Sequence, residues 1–564
     1  MKRYIFIILI SFFTVSCEDF LDTKDLTNKS SGNFPKTVND CNQSLAAIYN
    51  TISQGWLGSF YIGALASDEA FGGGAANDYD THGFDRLRVS TPNMTQDFWK
   101  NYYAGVFRTN KLIESLDNVS FSSADEKKRM LGESCFMRAF LYSELAKVYG
   151  EVPLILSAAK PVNIPKSPAK DIYAQIASDL KIAIENLPGE KQGVTPERFG
   201  HGTKWAAEAL AARVFLFYTG YYKQTDLPLK EGGSITKQQV VGYLEDVIAN
   251  SGHKLVPDFR NLWPYTNKDS KEDYKYTKGK KLLWAGDNNS ETVFAIKFGY
   301  VARYGDPSNT PALFFGLRGQ TSPNNVFPFG YGYGQASVNP KMVNQWIAEE
   351  PIDTIRRWGS IIDAGSPREG FQKYEIGGWN MVEETKLFQK KYELIFVYTD
   401  KTNANQSKWK TALNYVFNNE TNRGLESLQD FVLIRYSDVL LMHSELAGTA
   451  VNLNLVRARV GLPPVAYSME NLIRERKYEL AFEGSRYYDL LRWYGTEAGV
   501  LIDQNQNGAD LLNDRVPGKY KDSDLTIRIR ATGGFMQIPE SEITLSNGVL
   551  TQNEGWNGGD MNLQ

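Results

Sequence analysis

The chain has 564 residues and a formal net charge of −3 at pH 7, with 62 Lys and Arg against 65 Asp and Glu. This near-neutral balance lacks the basic excess that nucleic-acid binding requires, so we expect no nucleic-acid partner. Three cysteines exclude a disulfide-stapled fold, and an aromatic content of 13% is typical of proteins that bind sugar rings or peptides by stacking.

The N-terminus indicates a lipoprotein signal peptide over residues 1–16. A charged start precedes an apolar run at residues 4–13, which is too short to span a bilayer. Residues with small or medium-sized side chains then lead to Cys17, which resembles the lipidated cysteine of a bacterial lipobox, although Thr14 stands where leucine is usual. We therefore expect lipidation of Cys17 and a lipid-anchored protein on the cell surface, at the outer membrane. A plain signal peptide with an incidental cysteine is the alternative.

Apolar residues then recur with the 3.6-residue period of a helix. The stretches with this pattern, in chain order, are residues 38–52, 98–116, 127–150, 204–222, 431–447 and 473–493. Gly150 and Pro153 end the third of them. Trp99 and Cys135 belong to buried helix faces, and the alanine-rich stretch 204–222 would let a neighbouring helix approach closely. Long helices that arrive in pairs indicate stacked hairpins of the tetratricopeptide type, so we predict a mainly α fold.

The composition changes between residues 232 and 426. This part is rich in Gly, Pro, Asn and aromatic residues, with short strand-like runs such as TVFAIKFGY and KLFQKKYELIFVY. We predict a loop-rich, irregular excursion from one helical domain, whose N-terminal part is 17–231 and whose C-terminal part is 427–564. Loops on a rigid framework are where binding residues usually lie, so we seek the ligand face here.

The stretch IRERKYELAFEGSRYYDLLRW at 473–493 is the most densely charged. Arg476, Glu479, Glu483 and Arg486 fall at spacings of three, four and three, which predicts one stripe on a single helix. A general acid and a general base would need pKa values driven apart, whereas arginines on both sides favour the ionised form of both carboxyls. We interpret the stripe as a structural ion-pair network and not as an active site.

Seven stretches, in the same order along the chain, resemble the SusD/RagB family of Bacteroidetes surface lipoproteins. They are SCEDFLD, LASDEAFGGG, RAFLYSELAKVYGEVPLI, FVLIRYSDVLLMHSELA, LNLVRARVGLPP, the stretch at 473–493, and FMQIPESEITLSNGVLTQNEGW. The resemblance runs from the N-terminus to the C-terminus. It implies tetratricopeptide-like helix pairs with an irregular ligand-binding face. It also implies a SusC-like TonB-dependent transporter barrel as partner, which the lipoprotein covers as a lid.

The ligand implied by this resemblance is an oligosaccharide or polysaccharide, captured without cleavage and without a cofactor. A peptide-binding protein of the same fold is the alternative, because loop aromatics serve both ligands. A glycoside hydrolase using Asp68 and Glu69 is less favoured, since the side chains of adjacent residues point apart. A helical-repeat protein that binds only other proteins would leave the aromatic-rich middle of the chain unexplained.

Sugar binding needs exposed rings beside polar groups that hold the hydroxyls. The first segment that offers both is GGGAANDYDTHGFDRLR at 72–88, a glycine-loosened loop with Asp78, Tyr79, Asp80, His82 and Arg86. The second combines residues 299–309 and 324–335, which supply Tyr300, Arg303, Tyr304, Phe327, Phe329, Tyr331 and Tyr333. Packing of some of these rings beneath their own loops is the alternative.

One further stretch, DQNQNGADLLND, partly imitates a calcium-binding loop. Its positions one, three, five and twelve are Asp503, Asn505, Asn507 and Asp514. Position twelve lacks the bidentate glutamate, so we favour an Asx-rich solvent loop and predict no metal site. The four histidines lie far apart, and the sequence contains no GxSxG, P-loop, CxxC or HExxH motif.

Overall fold

The computed structural model describes residues 34–54, 58–159, 163–195, 198–298, 309–320, 323–398, 409–411, 427–522 and 524–556. The fold is mainly helical, as predicted, and strands within these residues form only two-stranded pairings. The helices up to residue 250 are α1 (Val38–Ile52), α2 (Gly58–Leu65), α3 (Tyr79–Asp85), α4 (Gln96–Ser115), α5 (Ala124–Tyr149), α6 (Ala169–Asn186), α7 (Lys204–Tyr221) and α8 (Lys237–Asn250).

The remaining helices have at most 12 residues each and continue to the C-terminal part. They are α9 (Thr310–Phe314), α10 (Pro323–Val326), α11 (Pro340–Glu349), α12 (Thr354–Ser360), α13 (Tyr436–Ala447), α14 (Val451–Arg459), α15 (Met469–Glu479), α16 (Arg486–Tyr494), α17 (Ala498–Gln506), α18 (Leu525–Thr532) and α19 (Glu540–Leu545).

Local signals in the sequence explain where the long helices begin and end. α1 starts with a reciprocal capping box, in which Thr37 and Asp40 each bind the other's backbone N–H. The Ser123 hydroxyl caps α5, and Gly150, with φ of +72°, ends it as predicted. Trp99 and Cys135 are buried in the core, which confirms their predicted places on helix faces.

The long helices pack in a continuous series, each against the next. α1 contacts α4, α4 contacts α5, and the series continues through α6 and α7 to α8, which also contacts α13. The alanines of α7 are fully buried, because a helix face of small residues lets neighbouring backbones approach. α8 lies beyond residue 232 and still packs in this series. The domain boundaries at 232 and 426 stay predictions.

Two stretches that the periodicity assigned to single helices are divided in the structure. Residues 431–447 are strand β12 (Phe431–Arg435) followed by α13. Residues 473–493 form α15 and α16, separated by a turn in which Phe482 has φ of +64° and Gly484 has φ of +73°. The prediction of one continuous charged helix is therefore wrong. The physical reason is a close backbone crossing, where Gly63 of α2 contacts the carbonyl of Gly484 with no room for a side chain.

Strand pairings bring distant loops together. The described strands are β1 (Ala70–Gly73), β2 (Leu227–Pro228), β3 (Ser234–Ile235), β4 (Thr292–Ile296), β5 (Leu317–Arg318), β6 (Tyr331–Gly332), β7 (Gln335–Val338), β8 (Ile361–Asp363), β9 (Leu387–Gln389), β10 (Phe396–Tyr398), β11 (Trp409–Thr411), β12, β13 (Asp510–Asn513) and β14 (Val516–Lys519). β1 pairs antiparallel with β7, and β5 pairs parallel with β6. Residues 70–73 therefore lie beside 335–338, although the sequence separates them widely.

One large hydrophobic core runs through the helical series and continues beneath the loop-rich part. A smaller cluster joins α11 to α15 through Trp346 and Tyr478, whose rings stack with centroids 4.5 Å apart. Within the ranges that the structure describes, none of the helices combines the length and apolar character needed to cross a membrane.

Candidate functional site

Arg318, at the end of β5, is the centre of a surface to which three loops contribute. Its Nη1 donates to the carbonyl of Tyr333 at 2.9 Å, and its Nε and Nη2 donate to the carbonyl of Trp379 at 3.2 and 2.9 Å. Nη1 also lies 3.9 Å from the Asp78 carboxylate. One guanidinium thus holds the loop before α3, the turn after β6 and the turn at Trp379. We call this surface, with Tyr79, the Arg318 face.

The Trp379 turn displays an indole to solvent. Trp379 and Asn380 have φ of +52° and +53°, and the Trp379 side chain is 50% exposed. The turn reaches this place because Gly319 and Gly378 cross backbone to backbone, and a Cβ on Gly378 would lie 2.7 Å from the Gly319 carbonyl oxygen. The Arg318 guanidinium carbon lies 6.0 Å from the indole centroid, within reach of a cation–π contact.

Tyr79 follows Asp78, the residue that pairs with Arg318, and 55% of its surface is accessible. The Asp78 carboxylate accepts a hydrogen bond from the backbone N–H of Ala75 at 2.7 Å. The turn that this bond closes leads into α3, whose first residue is Tyr79. The prediction of a loosened loop over 72–88 is thus wrong in part, because residues 79–85 are helical. A left-handed turn at Gly73 and Gly74 carries the chain from β1 towards this helix.

His82 is buried and Arg86 is partly exposed, and both bind the buried carboxylate of Glu383. Arg86 Nη2 lies 2.5 Å from Glu383 Oε1, and His82 Nδ1 lies 3.3 Å from Oε2, which also accepts from the backbone N–H of Gly73. Burial raises the Glu383 pKa, but His82 and Arg86 lower it more, to about 2. The ionised Glu383 therefore ties β1 and α3 to the segment that carries Trp379.

Two of the aromatic residues predicted in the second segment, Phe327 and Phe329, pack inside the protein. The Phe327 ring stacks on Tyr398 with centroids 4.2 Å apart, and Phe329 is fully buried. Tyr333 is half-buried, and its ring centroid lies 5.4 Å from that of Phe314. Packing beneath the loops, the alternative interpretation, holds for Phe327 and Phe329. The predicted residues Cys17, Tyr300, Arg303 and Tyr304 lie outside the described residues, and so does the side chain of Tyr331.

Residue-by-residue reasoning missed Trp379, Arg318 and Glu383. A usable signal existed for the first, because Gly377 and Gly378 precede Trp379 and repeat the glycine–aromatic pattern that singled out residues 324–335. Arg318 and Glu383 carry no such signal, since their roles depend on chain segments that meet only in the fold. Asp80 accepts a hydrogen bond from the Ser90 hydroxyl and is half-buried beside Tyr79.

The charged stretch at 473–493 is a buried ion-pair network, as interpreted from its charges. Glu479 contacts Arg435 at 3.0 Å and Arg356 at 3.4 Å, and it also pairs with Arg459. Burial raises the pKa of Glu479, but these three arginines hold it well below its ordinary value. The pKa of Glu483 is lowered in the same way, by Arg435 and Lys391 against burial. Both carboxyls are ionised, so they are not an acid–base pair.

The arginines of the stretch itself have other partners. Arg476 binds Asp438 and Asp489, at 2.7 and 2.9 Å, and Arg486 binds Asp68 at 2.8 Å. Asp68 and the adjacent Glu69 are buried, and Glu69 accepts from the backbone N–H of Phe482. Burial and the neighbouring Asp68 raise the Glu69 pKa to about 8. This buried carboxyl pair tethers the α15–α16 turn.

The stretch beginning at Asp503 is neither a calcium loop nor a solvent loop, because α17 extends to Gln506. Asp503 accepts from Thr526, Asn505 donates to Asp68 at 2.7 Å, and Asn507 donates to the carbonyl of Asp522. Asp514 lies in the turn between β13 and β14. In the part of the chain that the structure describes, no group of three or more His, Cys, Asp or Glu residues is arranged to hold a metal ion.

Solved structures share this fold over most of the chain. A laminarin-binding SusD-like protein superposes with a TM-score of 0.69 at 22% identity, covering 92% of this chain and 99% of that one. Surface glycan-binding protein A from Bacteroides thetaiotaomicron, solved in complex with laminarihexaose, gives a TM-score of 0.67 at 19% identity with the same coverage.

Curated relatives and family models agree with the structural match. A SusD-like protein of Bacteroides ovatus is 24% identical over 492 residues, 80% of each chain. SusD-like protein P2 of Formosa agariphila is 26% identical over 529 residues, 87% of this chain and 91% of the relative. A SusD-like model described as "Starch-binding associating with outer membrane" matches residues 19–216, and the SusD family model matches 290–556. Together these two models cover well over half of the chain, which belongs to the SusD/RagB family.

Proposed function

We propose that this protein is a cell-surface lipoprotein that captures an oligosaccharide or polysaccharide on the Arg318 face. It passes the glycan to a SusC-like TonB-dependent outer-membrane transporter, which it covers as a lid. The observation that carries the ligand assignment is that two exposed rings, Tyr79 and Trp379, belong to segments that both contact Arg318. Exposed rings beside fixed polar groups are what a pyranose needs for stacking and hydroxyl recognition.

The face is preorganised for this task. Arg318 uses its donors on backbone carbonyls, so it fixes the position of Trp379 and does not depend on ligand for its hydrogen bonds. The ion pair between Glu383 and Arg86 fixes the position of α3, and with it that of Tyr79. Holding both rings in place before binding reduces the entropy lost when the sugar docks. Tyr300, Arg303, Tyr304 and Tyr331 remain predicted ligand-binding residues.

Other parts of the proposal are supported by similarity. Two proteins of the same fold are named for laminarin or were solved with laminarihexaose, which makes a β-glucan the first polymer to test. The description of the matching family model includes association with the outer membrane. Cys17 would supply the lipid anchor, so Cys17→Ala should move the protein out of the outer-membrane fraction of cells.

Affinity gel electrophoresis of the chain that starts after Cys17 tests glycan capture. The gels contain laminarin, starch, or other plant, host and microbial polysaccharides. One polymer class should retard the protein, and Tyr79→Ala and Trp379→Ala should each weaken retardation about tenfold or more, since burying one aromatic side chain contributes ~1.5–3 kcal/mol. Tyr494→Ala, which removes a ring 40% exposed outside this face, is the matched control and should change nothing.

Three results would contradict the proposal. Equal retardation of wild type, Tyr79→Ala and Trp379→Ala would place the glycan elsewhere. Binding of oligopeptides but of no polysaccharide or oligosaccharide would favour the peptide-binding alternative. Steady release of new reducing ends from the bound polymer would show catalysis, and a reducing-sugar assay on the purified protein measures it.

A further inference from the structure

A second cleft, separate from the Arg318 face, is strongly basic. It lies between the 3-10 turn Phe259–Leu262, the segment 275–280, helix α12 and the segment around residue 368, and it has a volume of about 370 Å³. No acidic residue is among its described lining residues. We call it the basic groove, and its charged and aromatic lining consists of Arg260, Lys275, Tyr276, Lys280, Trp358 and Arg368.

Most of the positive charge in the basic groove has no carboxylate partner. Within the described part of the chain, Arg260 alone of these cations forms an ion pair, with Asp258 at 2.6 Å. Glu369, next to Arg368 in sequence, is buried and binds Lys390 at 3.0 Å. Among the described residues, no carboxylate lies within ion-pair distance of Lys275, Lys280 or Arg368. A bound anion would therefore meet three cations that form no direct ion pair with a carboxylate of the described residues.

Arg368 is held ready to donate. Its guanidinium carbon lies 3.6 Å from the centroid of the Trp358 ring, a close cation–π contact that fixes the plane of the group. Arg368 lines the groove and is partly exposed, so a bound anion can pair with its charge. A carboxylate or sulfate matches the planar fork of a guanidinium, which can donate two parallel hydrogen bonds.

The lysines add charge in the same cleft. Lys280 donates to the carbonyl of Tyr276 and lies over the Tyr276 ring, 4.2 Å from its centroid. Burial, and then the charge of Arg260, lower the Lys280 pKa, so like charges already repel each other there. Lys275 is exposed beside it. An anion in the groove would relieve this repulsion, whereas a neutral sugar would not.

We propose that the basic groove binds an acidic sugar unit, one that carries a carboxylate or a sulfate ester, at a site separate from the Arg318 face. Arg368 and the two lysines bind the anionic group. The volume exceeds what a bare inorganic anion fills, and the Tyr276 and Trp358 side chains supply apolar walls for the sugar ring. The protein would thus distinguish acidic from neutral glycans by means of the basic groove, which is separate from the Arg318 face.

Isothermal titration calorimetry at low salt tests the proposal. The ligands are trigalacturonate, a sulfated galactose disaccharide, neutral laminaritriose and inorganic sulfate. Lys275→Gln/Lys280→Gln should weaken binding of the acidic sugars at least tenfold. The matched control, Lys278→Gln/Lys281→Gln, removes the same charge from exposed lysines of the same segment outside the groove and should change affinity less than twofold. Melting temperatures and laminarin retardation should be the same for both double variants.

Each other result overturns the proposal. If the folded wild type bound neither acidic sugar, the basic groove would not be an acidic-sugar site. Equal losses in the two double variants would show non-specific attraction to surface charge. Inorganic sulfate that binds as tightly as the acidic sugars would show an anion site without sugar recognition. These outcomes leave the Arg318 face untouched, because laminarin retardation reports on that face alone.

Discussion

Replacing Glu483 with alanine should destabilise the fold by about 3–5 kcal/mol without a direct effect on glycan binding. Glu483 Oε1 accepts from Lys391 Nζ at 2.6 Å and from Arg435 Nη2 at 2.9 Å, while Oε2 accepts from Arg435 Nε at 2.8 Å. Both cationic side chains are almost fully buried. Removing one partner of a buried pair costs about 3–5 kcal/mol, because the opposite charge stays buried without compensation.

The free energy of unfolding is measured by urea denaturation of the chain that starts after Cys17. After the substitution, the Glu479 carbonyl at 3.3 Å is the one hydrogen-bond acceptor that the described residues still offer to Lys391 Nζ. Glu483→Gln should lose most of the same stability, since the amide carries no charge. Glu185→Ala, which breaks an exposed pair with Lys181 at 4.0 Å, is the control and should cost less than about 1 kcal/mol.

Two results would refute this reasoning. A cost below about 1 kcal/mol for Glu483→Ala would mean that Lys391 and Arg435 find water or other acceptors in the folded protein. An unchanged melting temperature together with lost glycan retardation would place Glu483 in the ligand site, contrary to its position in the α15–α16 turn.

Three further predictions follow from the site and the network. Gly378→Ala should displace the Trp379 turn and weaken glycan retardation, because its Cβ would lie 2.7 Å from the Gly319 carbonyl oxygen; unchanged retardation would contradict this. Burial lowers the His82 pKa, but Glu383 raises it above the ordinary value, so Glu383→Gln should lower it in an NMR titration, and no shift would refute the pairing. Urea midpoints should fall as pH drops below about 4. Several buried carboxylates have lower pKa values in the folded than in the unfolded protein, so they lose their stabilising effect when they are protonated. A midpoint that stays constant with pH would contradict this.

Helices with strong periodicity could be read from the sequence. The bounds of α1 match the apolar period, and α5 ends at the glycine that the pattern indicated. These features depend on residues within a few positions of each other, through capping hydrogen bonds and a repeating apolar stripe. Local signals failed at 473–493, where periodicity continued across a break. The break exists because Gly484 meets Gly63, more than four hundred residues away.

The ligand face shows the same limit. Tyr79 was predicted and is exposed, whereas Phe327 and Phe329, which occur in an equally aromatic stretch, are buried. The composition of a loop does not determine whether its rings turn outward, since that depends on which neighbour covers them. Trp379 is exposed because the backbone crossing of Gly319 and Gly378 places its turn beside Arg318. This contact joins two separate stretches of the sequence.

The sequence by itself determined the family, the mainly α fold, and the structural role of the charged stretch at 473–493. Its charges indicated ionised carboxyls, and Glu479 and Glu483 have lowered pKa values. Only the tertiary structure decided which cations are responsible, because Arg435, Lys391 and their neighbours come from other segments. The balance of charges can be read along the sequence. Which residues form ion pairs depends on distances in space, and these are set by the packing of the whole chain.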